Sequence, residues 1–122
     1  MTETKTTHTV TESDWTVLVL GHDLCRIDEV HLEEGRSALT SAADQALATE
    51  EKKLLLDLSA VEFFGSSFIE VLFRTFRTMR DGDGRFAVCG CNVHCQEVLE
   101  ITRLDSVWNV FPNRQAAISH RA

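Results

Sequence analysis

Leu54-Leu55-Leu56-Asp57-Leu58-Ser59-Ala60-Val61-Glu62-Phe63-Phe64-Gly65-Ser66-Ser67-Phe68-Ile69 is the stretch from which the fold of this 122-residue chain is read. Lys53 to Leu58 is short and almost wholly apolar, the pattern of a strand covered on both faces. An apolar loop follows, and two serines meet the start of a helix. From Ser66 to Asp81, the residues Ile69, Leu72, Phe73, Phe76 and Met79 recur at helical spacing and share one face. Asp81-Gly82-Asp83-Gly84 stops that helix.

The same alternation continues on both sides. Downstream, Arg85 to Cys89 reads as a short strand, and Val93, Val98, Leu99 and Ile101 mark a helix with Asn92 at its N-cap. Val107 to Phe111 is a last strand, and Pro112-Asn113 opens a short terminal helix. Upstream, Asp28 to Ala48 carries Val30, Leu32, Leu39, Ala42, Ala43, Ala46 and Leu47 at helical spacing, with Asp28 as the expected N-cap and Gly35 inside the run. Gly21-His22-Asp23 ends a strand over Trp15 to Leu20. Ser13-Asp14 is the turn that joins this strand to weakly alternating Thr7–Thr11 as a hairpin. The order is ββαβαβαβα. Strands alternating with helices make an α/β fold with a mostly parallel central sheet and an antiparallel N-terminal hairpin. The whole chain, 1–122, is expected to be one domain, with 1–6 disordered.

Composition agrees with a globular domain. At 43% hydrophobic the chain can build a core. Twelve Lys and Arg against 19 Asp and Glu give a net charge of −7, which repels phosphate backbones and anionic lipid and argues against a nucleic-acid partner. No apolar run reaches the ~20 residues of a membrane helix, and Met1 to Thr11 has no signal-peptide pattern. The expectation is a soluble, cytoplasmic protein with no membrane insertion. Cys25, Cys89, Cys91 and Cys95 read as reduced thiols, because the composition already supplies a core and three of the four cluster together.

Catalytic signatures are missing. There is no Gly-x-Gly-x-x-Gly, no phosphate-binding Gly-Lys-Ser/Thr loop and no Gly-x-Ser-x-Gly elbow. His8, His22, His31, His94 and His120 are scattered. Cys89-Gly90-Cys91-Asn92-Val93-His94-Cys95 carries zinc-ligand residue types, but one short loop rarely wraps a tetrahedron, and cysteine is a favoured small core residue. No metal, no cofactor and no enzymatic activity are expected.

Ser66 and Ser67 bear the chemical interest. Ser67 with Glu70 fits a capping box, which places Ser66 just outside the helix, beside unpaired amides and the positive dipole end. On residue types alone, both serines serve as caps worth on the order of 1 kcal/mol each. The alternative is that Ser66 is a phosphoacceptor, since phosphate would add a charge of about −2 without unfolding the domain. Val71 and Thr78 lie off the expected core stripe and Phe68 at its margin, which would leave a small apolar patch beside Ser66. Glu70, Arg74 and Arg77 continue that face as solvated charge.

The order of these motifs resembles the STAS domain, the family of bacterial anti-sigma factor antagonists. Leu56-Asp57-Leu58-Ser59, then Val61-Glu62-Phe63, then Ser66-Ser67 with Ile69 and Leu72, match the family's strand, loop and helix start. Arg85-Phe86-Ala87-Val88-Cys89-Gly90 is similar to its next strand. Val98-Leu99-Glu100-Ile101-Thr102-Arg103-Leu104-Asp105 is similar to its following helix end, and Phe111 to Ala117 to its closing strand and helix. Three residues depart from the pattern: Gly65 stands in place of an aspartate, Phe68 in place of a glycine and Arg103 in place of a glycine.

The resemblance implies a binding module that docks an anti-sigma factor or serine kinase. It also implies phosphorylation at Ser66, release on phosphorylation, and resetting by a phosphatase. The expected partner surface is Gly65, Ser66, Ser67, Phe68 and Val71. A homodimer is left open. STAS domains that act as scaffolds, ligand sensors or lipid-transport accessories, without phosphorylation, are the alternative.

Overall fold

The computed structural model describes residues 6–120; of the segment expected to be disordered, residues 1–5 lie outside the described residues. β1 (His8–Glu12) and β2 (Trp15–Val19) form the antiparallel hairpin, with Ser13 left-handed at φ 57° in its turn. β2 runs parallel to β4 (Lys53–Asp57), β4 to β6 (Arg85–Cys89), and β6 to β7 (Asn109–Phe111). The main sheet has the order β1-β2-β4-β6-β7, a mixed α/β sheet as the alternation of elements requires.

Both faces of β4 are buried, which explains its run of leucines. Leu54, Leu56 and Leu58 join Leu18, Phe86 and Val88 beneath the helices α1 (Leu32–Leu47) and α2 (Ser66–Asp81). Leu55 faces the other way, with Trp15, Val17, Val19, Ala87 and Cys89, against Ala117 and Ile118 of the short helix α4 (Arg114–Ser119). α3 (Val93–Ile101) starts at Asn92, whose side chain accepts from the Cys95 amide at 2.8 Å. α4 starts at Asn113, whose side chain accepts from the Ala116 amide at 2.8 Å.

Two very short strands escape sequence reading. β3 (Arg26–Ile27) and β5 (Phe63–Phe64) form their own parallel ladder. The Cys25 carbonyl accepts from Glu62 N–H at 2.7 Å, and the Ile27 carbonyl from Gly65 N–H at 3.0 Å. Segments that read as loops are thereby tied to each other. This ladder, not local propensity, sets where α2 begins.

Helix boundaries shift accordingly. α1 starts at Leu32 rather than Asp28, because the Asp28 carboxylate accepts from the Val30 amide at 3.0 Å in a tight turn before the helix. Val30, expected on the core stripe, is 78% exposed. Gly35 sits where a Cβ would lie 3.1 Å from Phe68 Cε1, so the glycine lets α1 close onto α2. The last strand begins at Asn109 instead of Val107, since Leu104–Ser106 forms a 3-10 turn before it.

Candidate functional site

The helix start that carries the serines is built on Gly65. This residue is extended (φ −90°, ψ 177°), its N–H is held by Ile27, and its carbonyl accepts from Phe68 N–H at 3.1 Å. Gly65 is therefore the N-cap, and Ser66 is already the first helical residue. No side chain caps this helix, so the expected Ser67–Glu70 capping box is not formed. The β3–β5 ladder moves the N-cap two residues upstream, from the expected Ser67 to Gly65, and that register takes Ser67 out of the N-cap position. Ser66 is exposed and Ser67 half-buried.

Phe68 and Val71 are not surface residues. Phe68 is fully buried, its ring 5.6 Å from that of Phe64, and Val71 is 7% exposed. The stripe that α2 turns inward is Phe68, Val71, Leu72, Thr75 and Met79, rotated from the one expected. Ile69 is half-buried and Phe73 is 38% exposed. The outward face of α2 thus carries Ser66, Glu70, Phe73, Arg74 and Arg77. A groove of about 460 Å³ runs between Ile69, Phe73 and Arg77 on one side and Thr102 and Leu104 on the other. A smaller cleft of about 360 Å³ lies between the starts of α1 and α2, lined by Leu32, Arg36, Ser67 and Arg74 among others.

Beneath the loop that delivers Gly65, Asp57 anchors a charged network. It is 4% exposed. One carboxylate oxygen accepts from the Ser59 amide (2.9 Å) and the Ser59 hydroxyl (2.5 Å). The other accepts from Arg114 Nε (3.0 Å) and Nη2 (2.9 Å). Arg114 Nη1 also donates to Glu12 at 3.0 Å. Burial by itself lowers the Arg114 pKa, but the hydrogen bonds to Asp57 and Glu12 outweigh it and raise the value. Gly90 completes the turn at φ 78°, where a Cβ would lie 2.5 Å from Ser59 Oγ, so no side chain fits there. The Asp-Leu-Ser motif is thus a structural latch. Its arginine was missed in the sequence because it lies on a distant helix.

The cysteine cluster faces the core. Burial, with a further contribution from Asp57, pushes the Cys89 thiol up to about 12. Burial and then Cys95 push Cys91 to about 12, and burial alone lifts Cys95 to about 11. At neutral pH these sulfurs stay protonated, which makes them poor nucleophiles. Among the described residues, no three His, Cys, Asp or Glu side chains gather as a metal site, and no helix is long and apolar enough to cross a membrane.

A mixed sheet with helices packed on it, ending in an Asp-Leu-Ser latch ahead of a serine-headed helix, defines a STAS domain. The family model for the STAS domain matches residues 31–117, and the chain belongs to this family. Its fold superimposes on an anti-sigma-factor antagonist (STAS) domain protein from Planctomyces limnophilus with a TM-score of 0.82. That alignment has 34% identity and covers 92% of this chain and 94% of that one. A Bordetella bronchiseptica protein named as an anti-sigma factor antagonist, BtrV, is 24% identical over 91 residues, 75% of each chain. The phosphorylated form of the Bacillus cell fate determinant SpoIIAA shares the fold at 17% identity, with a TM-score of 0.65, over 93% of this chain and 96% of that one.

Proposed function

We propose that this protein is a non-enzymatic regulatory module of the cytoplasm that binds an anti-sigma kinase and is switched by phosphorylation of Ser66. The observation that carries the reading is the state of Ser66: it is exposed on the first turn of α2, and its hydroxyl caps nothing. A hydroxyl tied up as a cap would have to break that bond before accepting a phosphoryl group. Ser66 is free of this cost. The docking surface is Gly65, Ser66 and Ser67 with the outward face of α2. Phe68 and Val71 support it from the core.

A phosphate at the first helical position meets unpaired amides and the positive end of the helix, so the fold tolerates it. In the docked state the same dianion is buried against the partner, where desolvation and repulsion release the complex. A phosphatase then resets the module. That a domain of this fold accepts phosphate is supported by SpoIIAA, whose structures include a phosphorylated and an unphosphorylated form.

The second reading is a scaffold, ligand sensor or lipid-transport accessory that works without phosphorylation. It takes its support from Gly65, which supplies no carboxylate beside the serine.

Phosphopeptide mapping after incubation with a cognate anti-sigma kinase and ATP tests the switch. Label is expected on Ser66 and lost in Ser66→Ala, and Ser66→Asp is expected to fold normally while its kinase affinity falls more than about tenfold. Label on Ser67 alone would reassign the acceptor. No label on either serine, with Ser66→Asp binding as well as wild type, would leave the non-phosphorylated module.

A further inference from the structure

At the end of the sheet opposite Ser66, Lys53 and Arg85 open β4 and β6 as directly opposed partners. Both share the sheet face of Leu55 and Ala87, the face that α4 covers. Like charges side by side on neighbouring strands repel. Asp14 pairs with Lys53 at 3.9 Å but is itself largely exposed, so it offsets that charge only in part, while Arg85 has no ion pair among the described residues. In a chain with 19 acidic residues and a net charge of −7, two adjacent cations against one exposed carboxylate leave a local excess of positive charge.

These cations border a cavity of about 440 Å³, within the roughly 300–1,000 Å³ usual for small-molecule sites. Its walls add the hydroxyls of Ser13 and Ser119, the imidazole of His120 and the carboxylate of Asp14, which an anion would have to meet on its Lys53 side. Lys53 and His120 are held in place, while Arg85 reaches in from an exposed position. The Lys53 ammonium lies over the Trp15 ring, 5.0 Å from its centroid, and its side chain is only 25% exposed. The His120 ring packs against Phe111 at 5.2 Å.

We propose that this cavity is a binding site for a small phosphate-bearing molecule. The guanidinium of Arg85 offers a planar fork for two phosphate oxygens and Lys53 a point charge beside it. The serine hydroxyls and His120 supply further donors. The cavity is larger than inorganic phosphate, so the organic part of a phosphomonoester lies along Trp15 and Ile118. Bound phosphate removes the repulsion that the register of β4 and β6 builds in. The site is separate from the Ser66 surface and uses none of its residues.

Amide NMR of the purified chain, titrated with inorganic phosphate and with AMP against sodium chloride at equal ionic strength, tests this. Saturable shifts are expected at Ser13–Trp15, Lys53, Arg85 and Ser119–His120 and at the Trp15 indole, with the amides of Gly65–Ser67 unmoved. Lys53→Met and Arg85→Met should each weaken binding at least about fivefold. Arg85→Met, which loses no ion pair, should also melt no lower than wild type in the absence of phosphate, because the like-charge pair is gone, which separates loss of the site from loss of fold. Shifts matched by chloride, or unchanged in both variants, would mean an adventitious ion only and overturn the proposal.

Discussion

Gly65 shows how one side chain sets the character of a helix start. It occupies the N-cap with ordinary extended dihedrals, and a Cβ built there would meet nothing closer than the Ile27 carbonyl at 4.0 Å. An aspartate fits that space and could accept from the amides of the first turn. Gly65→Asp is therefore expected to raise stability by a few tenths of a kcal/mol, up to about 1, measured by urea unfolding. A loss of stability would show that the first turn is not free to be capped. If the serine switch operates, the same variant should also take up phosphate at Ser66 faster. Arg114 is the opposite case, a residue whose role is all in its contacts. Arg114→Leu leaves the Asp57 carboxylate buried with only Ser59 as donor, and is expected to cost about 2–3 kcal/mol after allowance for the partial exposure of the arginine. Asp57→Asn combined with Arg114→Leu should cost less than the sum of the single changes; simple additivity would mean the two residues are not coupled.

At the scale of elements, the same physics decides where helices stop. Arg103 follows α3 in the left-handed region, at φ 63° and ψ 20°, where a Cβ is strained and glycine is not. This is the position at which the family pattern has glycine. Arg103→Gly is expected to stabilise the chain by about 1 kcal/mol, read as a higher urea midpoint at unchanged slope. A lower midpoint would mean that the arginine makes contacts that outweigh its backbone strain. The long elements were legible because their patterns are local: the leucines of β4, the glycine stop after α2 and the asparagine caps of α3 and α4 each lie within a few residues. The inward face of α2 was not. Ile69, Phe73 and Phe76 have helical spacing, yet so do Phe68, Leu72, Thr75 and Met79, and only the approach of α1 through Gly35 selects the second set.

The behaviour of the whole molecule in alkali follows from its two buried thiols and the half-buried one between them. Cys89, Cys91 and Cys95 ionise near 12, 12 and 11 in the folded chain, against 9.0 for a free thiol. Above about pH 9 the unfolded chain releases these protons while the folded chain keeps them, so the unfolded state binds fewer protons and stability falls as pH rises. Below that pH the contribution is fully present. Thermal melts are expected to hold steady up to about pH 9 and then drop progressively towards the folded-state values, with Cys91→Ser giving a shallower decline. Identical alkaline slopes in wild type and variant would contradict the desolvation of the half-buried Cys91 thiol.

The sequence by itself determined the order of elements, the two-sided burial of β4, the parallel sheet with its antiparallel edge, and the family resemblance that the comparisons show. All of these rest on periodicity and on residues close together in the chain. Only the tertiary structure decided the register of α2 and the exposure of the residues around Ser66. Arg26–Ile27 and Phe63–Phe64 are too short to show any period, yet their ladder holds Gly65 and makes Ser66 the first helical residue. The partner of Asp57 lies 57 residues away on α4. Hydrogen bonds between distant segments leave no local pattern, and a two-residue change in where a helix begins is enough to take Ser67 out of the cap and set Ser66, exposed, on the first turn.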